Sequence, residues 1–172
     1  MKKQQLNEIV ARLVAQNGFT ANGITKSSFI RESISAKGYF LPKNPSKVMD
    51  LVISYFKEQK AITIQTITKK LNSGARLSLT LDEWTSLANK RYLNINIHCK
   101  ESVFFNLGLV RIVGSCDAIE TQKIVNQHLK EFGITFEQHI VASTTDGANV
   151  MCKFGRESPA HHVQCMNHAI NL

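Results

Sequence analysis

The sequence predicts an α/β fold: a mixed sheet of three antiparallel strands, a helix and a parallel strand, preceded by a basic helical module. Three observations predict it. Apolar residues recur at helical spacing as far as Ile62, Ile64 and Ile67, and the period becomes two after Asn72-Ser73-Gly74. Three apolar runs, the first two alternating, then follow at short separations, which favours an antiparallel meander. An amphipathic stretch from Ala118 to Phe132 separates the third run from a fourth, HIVAST, so the fourth strand can return parallel to the first. This reading divides the chain into a helical module over 1–74 and a sheet domain over 75–172.

Leu6, Ile9, Val10, Leu13 and Val14 give the first helix one apolar face, and Gly18 ends it. A short helix from about Ser27 follows, capped by Ser27 or Ser28, with Phe29, Ile30 and Ile34 on its apolar side. GYFLPKNP is a turn-rich break. Asn44 then caps a longer helix with Pro45 at its first position and Val48, Leu51, Val52, Tyr55 and Phe56 along one face. The β-branched Ile62, Ile64 and Ile67 leave two endings open, a continuing helix or a break.

In the first strand Leu77, Leu79 and Leu81 alternate with Ser78, Thr80 and Asp82. A polar turn over 86–90 leads to the second, where Leu93, Ile95 and Ile97 alternate with Asn94, Asn96 and His98. VFFNLGLVRIV is the third. Ile119, Ile124, Val125, Leu129 and Phe132 form the buried stripe of the helix that follows, with Gly133 as its stop. HIVAST then runs into Thr145-Asp146-Gly147, and the tail reads as helical.

At 172 residues the chain suffices for one well-buried domain or a small domain plus a helical module. Its hydrophobic fraction is 43%, no apolar stretch is long enough to span a bilayer, and MKKQQLNEIV lacks the apolar core of a signal peptide. No membrane partner is expected. Cys99, Cys116, Cys152 and Cys165 lack paired spacing, so reduced thiols are expected. The formal charge is +8, and its distribution is uneven. Residues 1–76 carry 13 Lys or Arg against 4 acids, a balance of +9, whereas residues 77–172 carry 8 against 9, a balance of −1. Such a basic module either contacts nucleic acid through its phosphates or is a lysine-rich solvated surface.

Asp82 and Asp146 each stand at the end of a predicted strand, and the topology brings those two ends to one edge of the sheet. Two carboxylates there can hold Mg²⁺ or Mn²⁺ through oxygen ligands, with positions left for water and phosphate, which suits phosphodiester chemistry. A third acid normally completes such a pair of metal sites, and Glu157 is the late candidate. An aspartate at a strand end also serves as a turn-former or helix cap. In HHVQCMNHAINL, Cys165 and His168 share one helix face. His168 suits a hydrogen bond or phosphate contact beside the acidic edge, with Cys165 as a small buried residue; a zinc site would need a further ligand pair. Trp84 is the only tryptophan and packs or stacks on a base, while Glu83 points away from Asp82. No glycine-rich loop accompanies Asp146-Gly147, which disfavours an ATP-binding reading.

LTLDEWTS, the RYLNINIH strand, TTDGANVM and the ending HVQCMNHAINL resemble, in order and approximate spacing, the hAT superfamily of DNA transposases (hobo, Activator, Tam3) and its zinc-finger BED relatives. NPSKVMDLVISYF resembles the helical segment before that family's core, so the resemblance covers about residues 5–172. It implies a ribonuclease H-like fold in which Asp82 and Asp146 match the first two catalytic acids, and Cys165 and His168 match a C-x-x-H motif near the active site. It further implies cut-and-paste DNA transposition on a two-metal site of Mg²⁺ or Mn²⁺, a nuclear location, DNA as partner, and a homo-oligomer or a longer transposase-related chain. The helices of residues 1–76 would match the DNA-binding and dimerisation region. The family's third acid, a glutamate, follows a large helical insertion, so residues 1–172 are expected to be a truncated or domesticated form, inactive alone. Cys116 stands where relatives often carry a polar residue or histidine. The alternative is a non-enzymatic DNA-binding or protein-interaction module that uses the basic helices.

Overall fold

The change of period at Ser73-Gly74 is a change from helix to sheet. The computed structural model describes residues 3–100 and 103–170. The chain forms two compact units, Met1–Ile62 and Thr63–Leu172, and the division falls inside one long helix.

The first unit contains α1 (Lys3–Ala15), α2 (Ala21–Lys26), α3 (Ser28–Ser35) and the greater part of α4 (Pro45–Asn72). Leu6 and Val10 of α1 pack with Ile24, Leu41 and Val48 in a small core, which Leu13, Val14, Ile30, Ile34 and Leu51 flank. Where the sequence predicts one short helix from about Ser27, there are two. The Thr20 hydroxyl accepts the Gly23 N–H at 2.9 Å and so starts α2. Ser27 closes that helix and caps the next, its hydroxyl accepting the Ile30 N–H at 3.3 Å. The predicted apolar side of α3 is narrower than expected, because Phe29 is 77% exposed and only Ile30 and Ile34 reach the core. Asn44 behaves as anticipated at the start of α4, its Oδ1 accepting the Ser46 N–H at 2.9 Å.

Of the two endings open for that helix, the structure takes the continuous one. α4 runs through Ile62, Ile64 and Ile67 to Asn72, and the last two of these isoleucines, with Leu71, pack in the core of the second unit. Burial thus offsets the weak helical preference of β-branched residues.

The second unit is α/β. Its elements are β1 (Leu77–Thr85), β2 (Arg91–Cys99), β3 (Val103–Ile112), α5 (Ala118–Lys130), α6 (Phe136–His139), β4 (Ile140–Thr145), α7 (Asn149–Glu157), β5 (His161–Gln164) and α8 (Met166–Ile170). They build a five-stranded mixed sheet in the order β3-β2-β1-β4-β5. β1, β2 and β3 form the antiparallel meander, and β4 lies parallel to β1. The tail departs from expectation: residues 161–164 are not helical but extend the sheet as β5, parallel to β4, and helix resumes only at Met166. Its register aligns His162 with Ser143 and Gln164 with Thr145.

Alternation sorts the sheet into two faces. Leu77, Leu79, Leu81, Leu93, Ile95 and Ile97 are fully or nearly fully buried, and against them pack Val125 and Leu129 of α5 and Met151 and Phe154 of α7. Each such side chain contributes about 1.5–3 kcal/mol on burial. Ser78, Thr80, Asp82, Asn94 and Asn96 occupy the other face and are only half-buried. β3 keeps both faces in order by means of a bulge. Asn96 pairs with Asn106 but Ile95 with Gly108, so Leu107 is an extra residue. Gly108 takes φ +108°, a conformation that favours glycine, and His128 of α5 lies 3.0 Å from the Leu107 carbonyl through Nε2.

Candidate functional site

The register of β1 and β4 carries the two aspartates to one edge. Leu79 pairs with Ser143 and Thr80 with Thr144. Two residues beyond that last pair stand Asp82, still within β1 and opposite Asn94 of β2, and Asp146, the first residue after β4. Both are half-buried. Asp82 shares its face with Thr80, because Leu79 and Leu81 take the buried side. Asp146 leaves the strand through a tight turn in which its Oδ1 accepts the Ala148 N–H at 3.0 Å, immediately before α7. It therefore also has the turn-forming role open to any such aspartate. Neighbouring parallel strands thus each carry a carboxylate two residues past their last shared pair, towards the carboxyl edge where ligands of open α/β sheets gather.

Behind Asp146 the backbone is held by a polar pair, the buried Thr145 and the half-buried His162. The Thr145 hydroxyl donates to the Asp146 carbonyl at 3.0 Å and lies 2.9 Å from His162 Nε2. Since Thr145 has a single hydroxyl proton, His162 is the donor in the second bond, which assigns the neutral ring as the Nε2–H tautomer. Burial lowers the pKa of His162 below its ordinary value, and repulsion from His161 and Arg156 lowers it further. The ring sits against Gly155 of α7, where a Cβ would run into it. The Cys165 N–H closes the edge by donating to the Thr145 carbonyl at 2.7 Å.

The remaining sequence candidates are distributed around this edge. Cys165 is half-buried directly before α8. His168 belongs to α8, and its side chain lies outside the described residues. Trp84 stacks on Tyr92 with ring centroids 5.0 Å apart and is 42% exposed, so it packs on one face and offers the other to solvent. Glu83 is paired: its Oε1 accepts from Arg91 Nε at 2.6 Å, which raises the guanidinium pKa, and Arg91 also donates to the Gly114 carbonyl at 3.3 Å. Cys116 is buried with its Sγ 3.3 Å from the Thr121 hydroxyl. Glu157 ends α7, with its Oε1 3.8 Å from Lys153 Nζ. A cavity of about 700 Å³ beside α7 and β5 is lined by Cys152, Arg156, His161 and Gln164 among others.

Sequence reasoning did not single out Thr145, Gly155 or His162 as a unit. The signal was the pairing of His162 with the strand before it, hidden because β5 has only four residues. Among the described residues no group of three His, Cys, Asp or Glu is arranged to hold a metal ion. Two carboxylates still fit Mg²⁺ or Mn²⁺, since such ions commonly take one or two protein carboxylates and fill the rest of their shell with water and phosphate. No described helix is long and apolar enough to cross a membrane. Comparison of the chain with protein-family models and with curated proteins finds no match.

Proposed function

We propose that this chain is the helical and core portion of a hAT-type transposase-like protein, a DNA-acting protein of the nucleus with a ribonuclease H-like sheet domain. The observation that carries this reading is the register of Asp82 and Asp146. They stand on neighbouring parallel strands, two residues past the last paired positions, within a mixed sheet ordered β3-β2-β1-β4-β5. The phrases LTLDEWTS and TTDGANVM, which resemble that family, contain these two aspartates, and HVQCMNHAINL, which also resembles it, begins in β5, the strand paired with β4.

In this reading Asp82 and Asp146 hold a divalent metal site. Bound Mg²⁺ or Mn²⁺ supplies positive charge that activates the attacking oxygen and stabilises the leaving oxygen of a phosphodiester. The chain's own contribution is positional. Asp82 is fixed by its pairing with Asn94 of β2, and Asp146 by its turn and by the Thr145–His162 pair behind it. In the family resembled, a third acid and a partner chain or second copy complete the activity. The charge balance of +9 over residues 1–76 supports DNA contact by the helices, and that contact is also what a non-enzymatic DNA-binding module would make.

Calorimetric titration of the full chain with Mn²⁺ tests the metal site. Binding that is lost in Asp82→Asn and in Asp146→Asn is expected. Binding unchanged in both variants, or absent from the parent chain at millimolar metal, would overturn the metal reading and leave the non-enzymatic one.

A further inference from the structure

The sheet face opposite the helices has a composition of its own. Its cross-strand rows run Ser78–His98–Phe104, Thr80–Asn96–Asn106, and, beyond Asp82, Trp84–Tyr92–Arg111. Both outer rows contain a stacked ring pair: His98 and Phe104 at 5.9 Å, and Trp84 and Tyr92 at 5.0 Å. Phe104 is 60% exposed, so a ring plane at each end reaches solvent. The rows between are Thr80–Asn96–Asn106 and Asp82–Asn94–Leu109, polar throughout on β1 and β2, with Leu109 of β3 exposed at the outer edge. Asn106 Nδ2 donates to Asn94 Oδ1 at 3.0 Å and to Asn96 Oδ1 at 2.8 Å, and His98 Nε2 lies 3.0 Å from the Thr80 hydroxyl. With their oxygens taken by Asn106, Asn94 and Asn96 present amide N–H groups as donors.

Beside the His98–Phe104 end, where Leu77 pairs with Cys99, lies a cavity of about 520 Å³ lined by Lys70, Gly74, Arg76, Cys99 and Lys100. Among the described residues that line it, three are cations and none is acidic. Thr80, Asp82, Asn94, Asn96 and Asn106 keep the middle polar apart from Leu109, which disfavours a dry apolar docking surface. Ring planes, amide donors and an adjoining basic cavity are together the chemistry that takes up unpaired bases and their phosphates.

We propose that this face binds single-stranded nucleic acid, with a base stacked on Phe104, its phosphates drawn to Lys70, Arg76 and Lys100, and the strand running along the asparagines towards Trp84 and Arg111. Ser78 and Trp84 are six residues apart on β1, a span of about 20 Å, which several nucleotides cover. Asp82 repels phosphate from the middle of that path, so the strand's backbone keeps to its outer side, where Arg111 stands on the edge strand β3. The proposal is independent of the metal reading, since its attractive contacts come from rings, amides and cations and none requires a bound metal.

The test uses the full chain and an oligothymidylate of about 12 nucleotides carrying a fluorescent label, read by anisotropy, with the emission of Trp84 as a second signal. Expected are binding with quenching of Trp84, weaker binding of a duplex of equal length by the sheet face, and loss of about fivefold or more in affinity for Phe104→Ala. Phe104→Tyr, which keeps a ring plane, restores binding. Arg76→Gln with Lys100→Gln weakens binding and flattens its salt dependence. Circular dichroism verifies that each variant remains folded. Unchanged Trp84 emission, equal affinity of Phe104→Ala and parent chain, or a duplex preference carried by the residue 1–62 lysines alone would overturn the proposal. So would concentration-dependent self-association that Phe104→Ala abolishes, which would make the face a protein interface. Loss of Mn²⁺ binding in Asp146→Asn with oligonucleotide binding intact separates this site from the metal site.

Discussion

His162 Nε2 lies 2.9 Å from the Thr145 hydroxyl and joins β5 to β4 directly behind Asp146. Because burial, then His161 and Arg156, hold the folded pKa below the unfolded value of about 6.5, the unfolded chain binds the proton first as pH falls. The stability associated with the neutral ring is present above about pH 6.5 and is lost as pH falls through the unfolded and then the folded value. Urea midpoints taken from about pH 8 to about pH 5 should decline. His162→Gln should show a shallower decline than the parent chain; an equal slope would mean that this ring does not set it.

Gly155→Ala should destabilise the second unit by about 1–3 kcal/mol, the usual cost of overpacking. The added methyl meets the His162 ring, which is held in place by Thr145 and has no flexible end to swing away. Equilibrium urea unfolding measures the loss. A neutral result would show that β5 yields easily.

Leu129 and Ile119 lie on the same helix, α5, and both belong to apolar positions legible in the sequence, yet only Leu129 is buried. Leu129→Ala is expected to cost about 2–5 kcal/mol. Ile119→Ala, at a position 58% exposed, should stay within about 0.5 kcal/mol. Similar losses from both would contradict the packing of α5 on the sheet.

The Asp117 carboxylate starts α5 by accepting the Glu120 N–H at 2.8 Å. Asp117→Ala should lower stability by about 0.5–2 kcal/mol, and Asp117→Ser, which keeps an acceptor, should recover most of it. Thermal unfolding of the two variants side by side is the measurement.

Long elements with one buried face were legible in the sequence, and short or doubly constrained ones were not. Strict alternation in β1 and β2 places leucines and isoleucines inward and Ser, Thr, Asn and Asp outward, so both strands and the position of Asp82 follow from period alone. Thr145-Asp146-Gly147 likewise marks a strand end by its turn chemistry. α2 was missed because six residues give too little periodicity, although Thr20 and Ser27 both carry cap chemistry. β5 was missed because its four residues bury no hydrophobic side chain and the Cys165–His168 spacing suggests helix throughout. Phe29 looked apolar-facing by spacing alone, and tertiary packing left it exposed. Ile64 and Ile67, late in α4, belong to the sheet's core, which is why the division of the chain falls before them and not at the onset of β1.

The extra residue at Leu107 has a consequence for how copies of this chain meet. β3 is an outer strand, with β2 on one side only, and at ten residues it is long enough to template a foreign strand. The bulge throws its outward N–H and C=O groups out of step halfway along, so an incoming strand in register with one half is out of register with the other. An irregularity that aligns Leu109 and Arg111 with the open face therefore also protects the sheet from growing sideways into a fibril.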